Sequence, residues 1–324
     1  MILKIVKPKL AGVLAATVIA FLAVFAAQFM PIFGSILVAL LLGMIAGNTF
    51  LRSHKLQAGL KFSEKELLEI SIVLLGFGIE AESLMRLDFK LIVCIFISII
   101  FVLMVAVGLG KLLGLSTRLS MLLGAGSAIC GSAAIGAMAP LIRANEEEVG
   151  LSMAVVNLLG VAGIAVLPSI SALLDFTNFQ SAVLLGGTLQ SIGHVAASGF
   201  AMNELIGEWA MVVKMSRVVF LIPLLIVLLF AGRRQGKHGK IKFPIFIFFF
   251  AAAVYLNQLH SFPNNLSDTL SSSGSFLMAV AMAAVGIRIH IKPLLRISPK
   301  AITLGTIIFA MQILMFVAFA SIFI

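Results

Sequence analysis

Residues 124–142 read GAGSAICGSAAIGAMAPLI, and this uncharged run of small residues decides the predicted fold. It is hydrophobic enough for a lipid bilayer, yet a Gly or Ser recurs every few residues. In a membrane span, such residues either allow neighbouring helices to pack closely or mark a break that exposes backbone dipoles to a ligand. Both interpretations stay open from this stretch alone. At a break, the hydroxyls of Ser127 and Ser132 and the free backbone amides would replace part of an ion's hydration shell.

The composition places the chain in a membrane. Of its 324 residues, 61% are hydrophobic and 11% are charged, and the mean hydropathy is +1.18. A soluble protein of this composition would expose too much apolar surface to water. The apolar runs approach or exceed the roughly 20 residues of a spanning helix, whereas barrel strands need about 10. We therefore predict an all-α, polytopic transmembrane protein that forms a single domain over residues 1–324.

The net charge of +10 does not indicate nucleic-acid binding in this context. The lysines and arginines fall in short connections between apolar runs, which is a signal of membrane topology. Cys94 and Cys130 both lie within apolar segments, so neither a disulfide framework nor a metal site is expected. No cofactor is predicted.

The apolar runs predict about 11 spans. They are placed at residues 10–30, 33–50, 67–80, 91–113, 118–142, 150–174, 181–202, 209–230, 243–259, 275–289 and 301–324. The fifth and seventh are rich in Gly and Ser and are predicted to be broken; whether segments 118–142 and 181–204 cross the bilayer fully or re-enter stays open. Residues 51–66 are predicted to be a mixed-charge connection and residues 260–274 a polar loop. The three carboxylates at 146–148 are interpreted first as a solvated helix start, with an ion-attracting mouth as the alternative.

The distribution of basic residues predicts the orientation. With alternate connections on opposite sides, the N-terminal side carries nearly all of the Lys and Arg residues, and the other side carries Arg86, Lys90 and Arg143. The positive-inside rule then favours a cytoplasmic N-terminus.

An internal echo favours an inverted repeat. The sequence VLLGFGIEAESLMRLDFKLIVC resembles MAAVGIRIHIKPLLRISPKAITL, within units of about 67–115 and 275–324. Gly78 matches Gly286 and, after a two-residue shift, two basic pairs match as well, Arg86 with Arg296 and Lys90 with Lys300. An odd number of spans separates the copies, so they point in opposite directions. Inverted repeats of this kind underlie many secondary transporters, and chance similarity between amphipathic helix ends is the alternative.

Four motifs resemble a known family. GAGSAICGSAAIGAMAPLIRA, GGTLQSIGHVAASGFA, VVKMSRVVFLIPLLI and FLMAVAMAAVGIRIHI are similar, in order and spacing, to the YeiH-type family, whose members are named sulfate exporters. The similarity extends from about Leu67 to the C-terminus. It implies a bacterial inner-membrane protein related to the sodium/proton antiporter and bile-acid symporter fold, with crossed broken helices.

The chain departs from that family at the second broken segment. Many relatives carry a His followed by an acidic residue where this chain has Gln190 and Ser191, and it has His194 one turn later. Positions 190 and 194 share a face if the segment is helical there. An imidazole would then have moved by one turn, and the missing carboxylate puts in doubt any coupling that relied on the His and acid pair.

Ionisable groups inside the spans are the functional candidates, because they are costly in a membrane. Lys214 and Arg217 either attract an anion or extend toward the headgroups, and His194 suits proton coupling or is a structural, hydrogen-bonded residue. No Asp or Glu lies deep in the central spans, which favours an anion over a cation. The predicted substrate site comprises Gly126, Ser127, Cys130, Gly131, Ser132, Thr188, Gln190, Ser191, His194, Lys214 and Arg217, with Asn157 as a neutral partner.

The sequence therefore predicts a secondary transporter that exports a small anion such as sulfate, a related oxyanion or a sulfonate. The alternatives are a sodium- or proton-coupled organic-acid symporter and an anion channel. An enzyme is not expected, since HExxH, Gly-x-Ser-x-Gly and Walker motifs are all missing from the sequence. The predicted partners are a small anionic substrate, membrane lipid and a coupling ion, proton or sodium, with a homodimer left open.

Overall fold

The structure is a computed structural model that describes residues 2–28, 35–51, 53–78, 88–233, 245–258, 264–289 and 298–324. These residues form fifteen α-helices and no β-strand. The helices are α1 (Ile2–Ala27), α2 (Ser35–Thr49), α3 (Gln57–Phe62), α4 (Leu68–Leu75), α5 (Phe89–Leu112), α6 (Thr117–Ala125), α7 (Ser132–Ile142) and α8 (Glu146–Leu173). They continue with α9 (Asn178–Thr188), α10 (Ile192–Met202), α11 (Glu204–Val219), α12 (Leu221–Arg233), α13 (Phe246–Gln258), α14 (Asn264–Arg288) and α15 (Pro299–Phe323).

Several helices have the length and composition of membrane spans. Within the described residues, six qualify: Lys9–Ala27, Phe89–Leu112, Glu146–Leu173, Glu204–Leu228, Leu266–Arg288 and Pro299–Phe323. Four shorter apolar helices lie at Ser35–Thr49, Ser132–Ile142, Ile192–Met202 and Phe248–Gln258. The protein is thus an all-helical membrane protein over the described ranges, and the count of eleven spans stays a prediction.

Two stretches that the sequence predicts as connections are helical instead. A 3₁₀ turn begins at His54 and leads through α3 and a π-helical segment, Ser63–Leu67, into α4. The polar residues of this helical stretch do not prevent helix formation, because it packs on other helices. Gly59 packs on the backbone of α1, and Glu64 forms an ion pair with Arg288. Likewise, α14 begins at Asn264, inside the predicted polar loop. Ser273 there donates to the carbonyl of Thr269 at 2.7 Å, so its hydroxyl is satisfied within the helix.

The chain divides into two compact units. Unit 1 contains Met1–Met85, Phe200–Glu204 and Pro244–Lys292, and unit 2 contains Arg86–Gly199, Leu205–Phe243 and Pro293–Ile324. In unit 1, helices α2 and α14 pack through small residues: Gly43 lies on Ala283, Gly47 on Ile287 and Gly286 on Leu40. Small residues let membrane helices approach backbone to backbone.

Unit 2 contains the first predicted broken segment and the second as far as Gly199. Helix α8 begins at the three glutamates, and its capping box confirms the solvated helix start: Glu148 donates from its backbone N–H to Asn145 Oδ1 at 2.7 Å, and its carboxylate accepts from the Asn145 N–H.

Of the predicted repeat, Arg86 and Arg296 lie outside the described residues. The inverted repeat therefore stays a prediction.

Candidate functional site at two helix breaks

The first break lies within the small-residue run of residues 124–142. Helix α6 runs into one π-helical turn, Gly126–Cys130, the chain turns at Gly131, and α7 begins at Ser132. Gly131 has φ +69° and ψ −130°, a conformation that residues with a Cβ rarely adopt. Gly131 gives α7 no side-chain cap, so the first backbone amides of α7 are left to other partners.

The second break separates α9 from α10. Helix α9 ends at Thr188, Leu189 has φ −56° and ψ 142°, and α10 begins at Ile192. Ser191 Oγ accepts a hydrogen bond from the backbone N–H of His194 at 3.1 Å, as an N-cap residue does. At this break the N-terminus of α10 is not continuous with the preceding helix, and one of its first backbone N–H groups, that of His194, is capped by Ser191.

The two breaks contact each other inside unit 2. A Cβ placed on Gly131 would lie 3.5 Å from the carbonyl oxygen of Gln190 and 3.5 Å from the Cβ of Ser191. Helices α7 and α10 thus begin at one place in the unit. Because a helix N-terminus carries about half a positive charge, this place favours a negatively charged group.

Arg217 of α11 joins the two breaks. It is fully buried and donates five hydrogen bonds, all to backbone carbonyls. Its Nε and Nη2 donate to Ala128 at 3.0 and 2.6 Å, and Nη2 also donates to Ser127 at 2.8 Å. Its Nη1 donates to Gly186 at 3.1 Å and to Leu189 at 3.3 Å. One guanidinium therefore binds the carbonyl ends of both helices that precede a break.

Lys214 lies one turn before Arg217 and is also fully buried, and its Nζ donates to the Leu189 carbonyl at 2.6 Å. Both cations lie inside the unit, against helix C-termini, where positive charge is favoured. Neither head group extends to the surface. No Asp or Glu in the described part of unit 2 is buried, so these two cations have no buried carboxylate beside them.

Unpaired polar atoms cluster at the breaks. Among the described residues of unit 2, the buried side-chain atoms without a protein hydrogen-bond partner are Ser127 Oγ, Gln190 Nε2, Gln190 Oε1, His194 Nδ1 and Gln312 Oε1. Four of these atoms belong to the broken segments, and Gln312 reaches the first break by donating to the Ser127 carbonyl at 3.2 Å. A buried polar group without a partner costs about 1–3 kcal/mol. Such a concentration is typical of a site that receives a polar ligand.

Helix α8 lies against both breaks. Ser132 and Asn157 are half-buried, and Ser132 Oγ lies 3.5 Å from Asn157 Oδ1. One turn further along α8, a methyl group on Gly160 would overlap the imidazole ring of His194. Glycine at position 160 is therefore what lets the His194 ring lie against α8.

The predicted site residues all lie in unit 2, on the two breaks or on α11. Gly126 packs on Ile135 and Val156, and Thr188 Oγ1 donates to the Leu184 carbonyl at 2.6 Å, so both have local packing roles. Cys130 is buried as a free thiol. Gln312 is not among the predicted site residues, and its signal in the sequence is an amide side chain within the apolar segment 301–324.

Fold and site together define a polytopic α-helical membrane protein with two interrupted helices in contact. The family described as Conserved hypothetical protein 698 matches residues 11–305. The chain belongs to this family, the UPF0324 membrane proteins, and the YeiH-type resemblance is confirmed.

Relatives match the chain over most of its length. A UPF0324 membrane protein of Clostridium perfringens is 32% identical, over 100% of this chain and 98% of the relative. One of Lactiplantibacillus plantarum is 32% identical, over 88% of this chain and 89% of the relative. The UPF0324 inner membrane protein YeiH of Escherichia coli K12 is 30% identical, over 86% of this chain and 82% of the relative.

Proposed function

We propose that this protein is a secondary transporter that exports a small anion, sulfate or a related oxyanion or sulfonate, and binds it where the two breaks meet. The observation that carries the proposal is the group of unpaired buried polar atoms of Ser127, Gln190 and His194 at that place. Polar atoms that the fold leaves unpaired at such cost indicate a ligand that pairs with them.

The surrounding charge favours an anion. The two helix N-termini at Ser132 and Ile192 carry partial positive charge. Lys214 and Arg217 are cationic residues bonded to the carbonyls next to the breaks. No described carboxylate of unit 2 is buried. Broken helices whose N-termini face an anionic substrate are a recurring device of secondary transporters.

We further propose a multi-pass location in the bacterial inner membrane with a cytoplasmic N-terminus. The excess of Lys and Arg on the N-terminal side supports this orientation. A coupling ion, membrane lipid and a second copy of the chain are its proposed partners.

One observation favours an alternative, a sodium- or proton-coupled organic-acid symporter. Two of the unpaired atoms, Gln190 Oε1 and Gln312 Oε1, are acceptors and would suit a cation. An imposed sodium or proton gradient separates the alternatives by the direction of flux, because a symporter carries the organic acid in the direction of ion flow, whereas an exporter driven by ion entry carries its anion in the opposite direction. An anion channel would instead pass anions at high rate without either gradient.

The test is transport by the purified protein in liposomes. Labelled sulfate, sulfite or a small sulfonate should cross, and His194→Ala and Ser132→Leu should each impair the flux. The matched control is Ser169→Leu, since Ser169 is an exposed serine of α8 that bonds only its own helix. Full activity in both site variants would remove the proposed site, and no flux of any of these anions would remove the proposed function.

A further inference from the structure

The neutral amide side chain of Gln312 lies close to the buried cations of unit 2. Gln312 of α15 is 1% exposed, and its Nε2 donates to the Ser127 carbonyl at 3.2 Å. Arg217 Nη2 donates to the same oxygen at 2.8 Å. Because both donate to the same oxygen, Gln312 Nε2 and Arg217 Nη2 lie at most about 6 Å apart, the sum of the two distances. Opposite charges at this separation interact strongly in a protein interior.

Arg217 has no room for a further hydrogen bond. Its five N–H groups are all given to backbone carbonyls, which are dipoles without net charge. Its positive charge is therefore held in place and not neutralised by a described carboxylate. A glutamate has the length of a glutamine, so position 312 is where a carboxylate would neutralise it.

We propose that Gln312 determines the charge preference of the site: because it is neutral, Arg217 and Lys214 keep their field available to a bound anion. The inference rests on the proposed function and adds a residue of α15 to it. Gln312 is a specificity-determining residue that acts through charge, and contact with the anion is not required of it.

The test is equilibrium binding of sulfate and methanesulfonate to the purified full-length chain in detergent. Gln312→Glu adds one negative charge, and Gln312→Met removes the bond to Ser127 without adding charge. Gln180→Glu is the matched control: Gln180 Nε2 also donates to a carbonyl of α15, that of Ala320 at 2.9 Å. Gln180 lies eight residues, about 12 Å of helix, before Thr188 at the end of α9.

We expect Gln312→Glu to weaken sulfate binding at least tenfold and methanesulfonate binding about threefold, because a Coulomb interaction scales with ligand charge. The logarithms of the two changes should stand near two to one, a ratio that a purely structural defect would not produce. Gln312→Met and Gln180→Glu should change both affinities less than threefold. If Gln312→Glu does not accumulate as folded protein, Gln312→Asp carries the same charge on a shorter side chain.

Two results would overturn the inference alone: unchanged anion binding in a folded carboxylate variant, or equal losses in Gln312→Glu and Gln312→Met. Wild-type protein that binds neither anion would refute the proposed function, and the inference would fall with it.

Discussion

The substitution Arg217→Lys tests whether the guanidinium fork holds the two breaks together. Lysine keeps the charge, but one ammonium group cannot reach the carbonyls of both breaks from a single point. Two of the four carbonyls keep a second side-chain donor, Ser127 from Gln312 and Leu189 from Lys214. The Ala128 and Gly186 carbonyls have no such second donor among the described side chains, and both lie in buried backbone.

Because the ammonium group reaches at most one break, at least one of those two carbonyls should lose its side-chain donor, at a cost of about 1–3 kcal/mol. At about 2–4 °C per kcal/mol for a unit of about 150–250 residues, this loss lowers the apparent melting temperature by at least about 2 °C. Trp209, the only tryptophan, lies on α11 with its ring 5.7 Å from that of Phe179 in α9, so its fluorescence reports unfolding of unit 2. Sulfate affinity should fall at least tenfold, because the N-termini of α7 and α10 would lose their fixed separation.

The control is Arg118→Lys, an exposed arginine in the first turn of α6. It should leave both the melting temperature and the affinity unchanged. If Arg217→Lys also melted within 1 °C of the wild type and bound sulfate equally well, the bridging role of the guanidinium would be refuted.

Two glycine substitutions follow from the same geometry. Gly160→Ala would push the imidazole of His194 away from α8, so anion affinity should fall several-fold at an overpacking cost of about 1–3 kcal/mol; Gly150→Ala, on the same helix with open space around it, should bind as wild type. Gly131→Ala would force a Cβ onto a backbone with φ +69° and should destabilise by about 1–3 kcal/mol in thermal unfolding. Gly136→Ala, in the helical interior of α7, should instead be neutral or slightly stabilising, and equal effects of the two alanines would contradict the strain.

Local patterns were enough to predict where the helices break. Gly131 lies in the middle of the small-residue run and adopts a positive φ, and the second interruption follows Thr188 within the other Gly- and Ser-rich segment. The acidic helix start at Glu146 was equally readable, because a capping box is formed by residues three apart. These features are formed by residues close together in the chain, so they can be predicted from the sequence alone.

The features that sequence analysis missed depend on residues far apart in the chain. The carbonyls that Arg217 binds lie 28 to 90 residues away, and Gln312 is 185 residues from Ser127. Composition also misled: residues 264–274 look like a loop because they are rich in Ser and Asn, yet they form the start of α14. A Ser or Thr hydroxyl can donate to a carbonyl of its own helix, and the sequence alone does not show whether it does so.

The positions of the cations explain how a site in which no described carboxylate is buried can hold two helix breaks together. Each helix that ends at a break presents about half a negative charge, so the two together present about one. The guanidinium of Arg217, bonded to both ends, offsets that charge. Lys214, bonded to Leu189, adds positive charge whenever its amino group is protonated, and the N-termini of α7 and α10 add about one further positive charge. A local excess of positive charge favours an anion over a cation, and it is compatible with divalent sulfate as well as with a monovalent sulfonate.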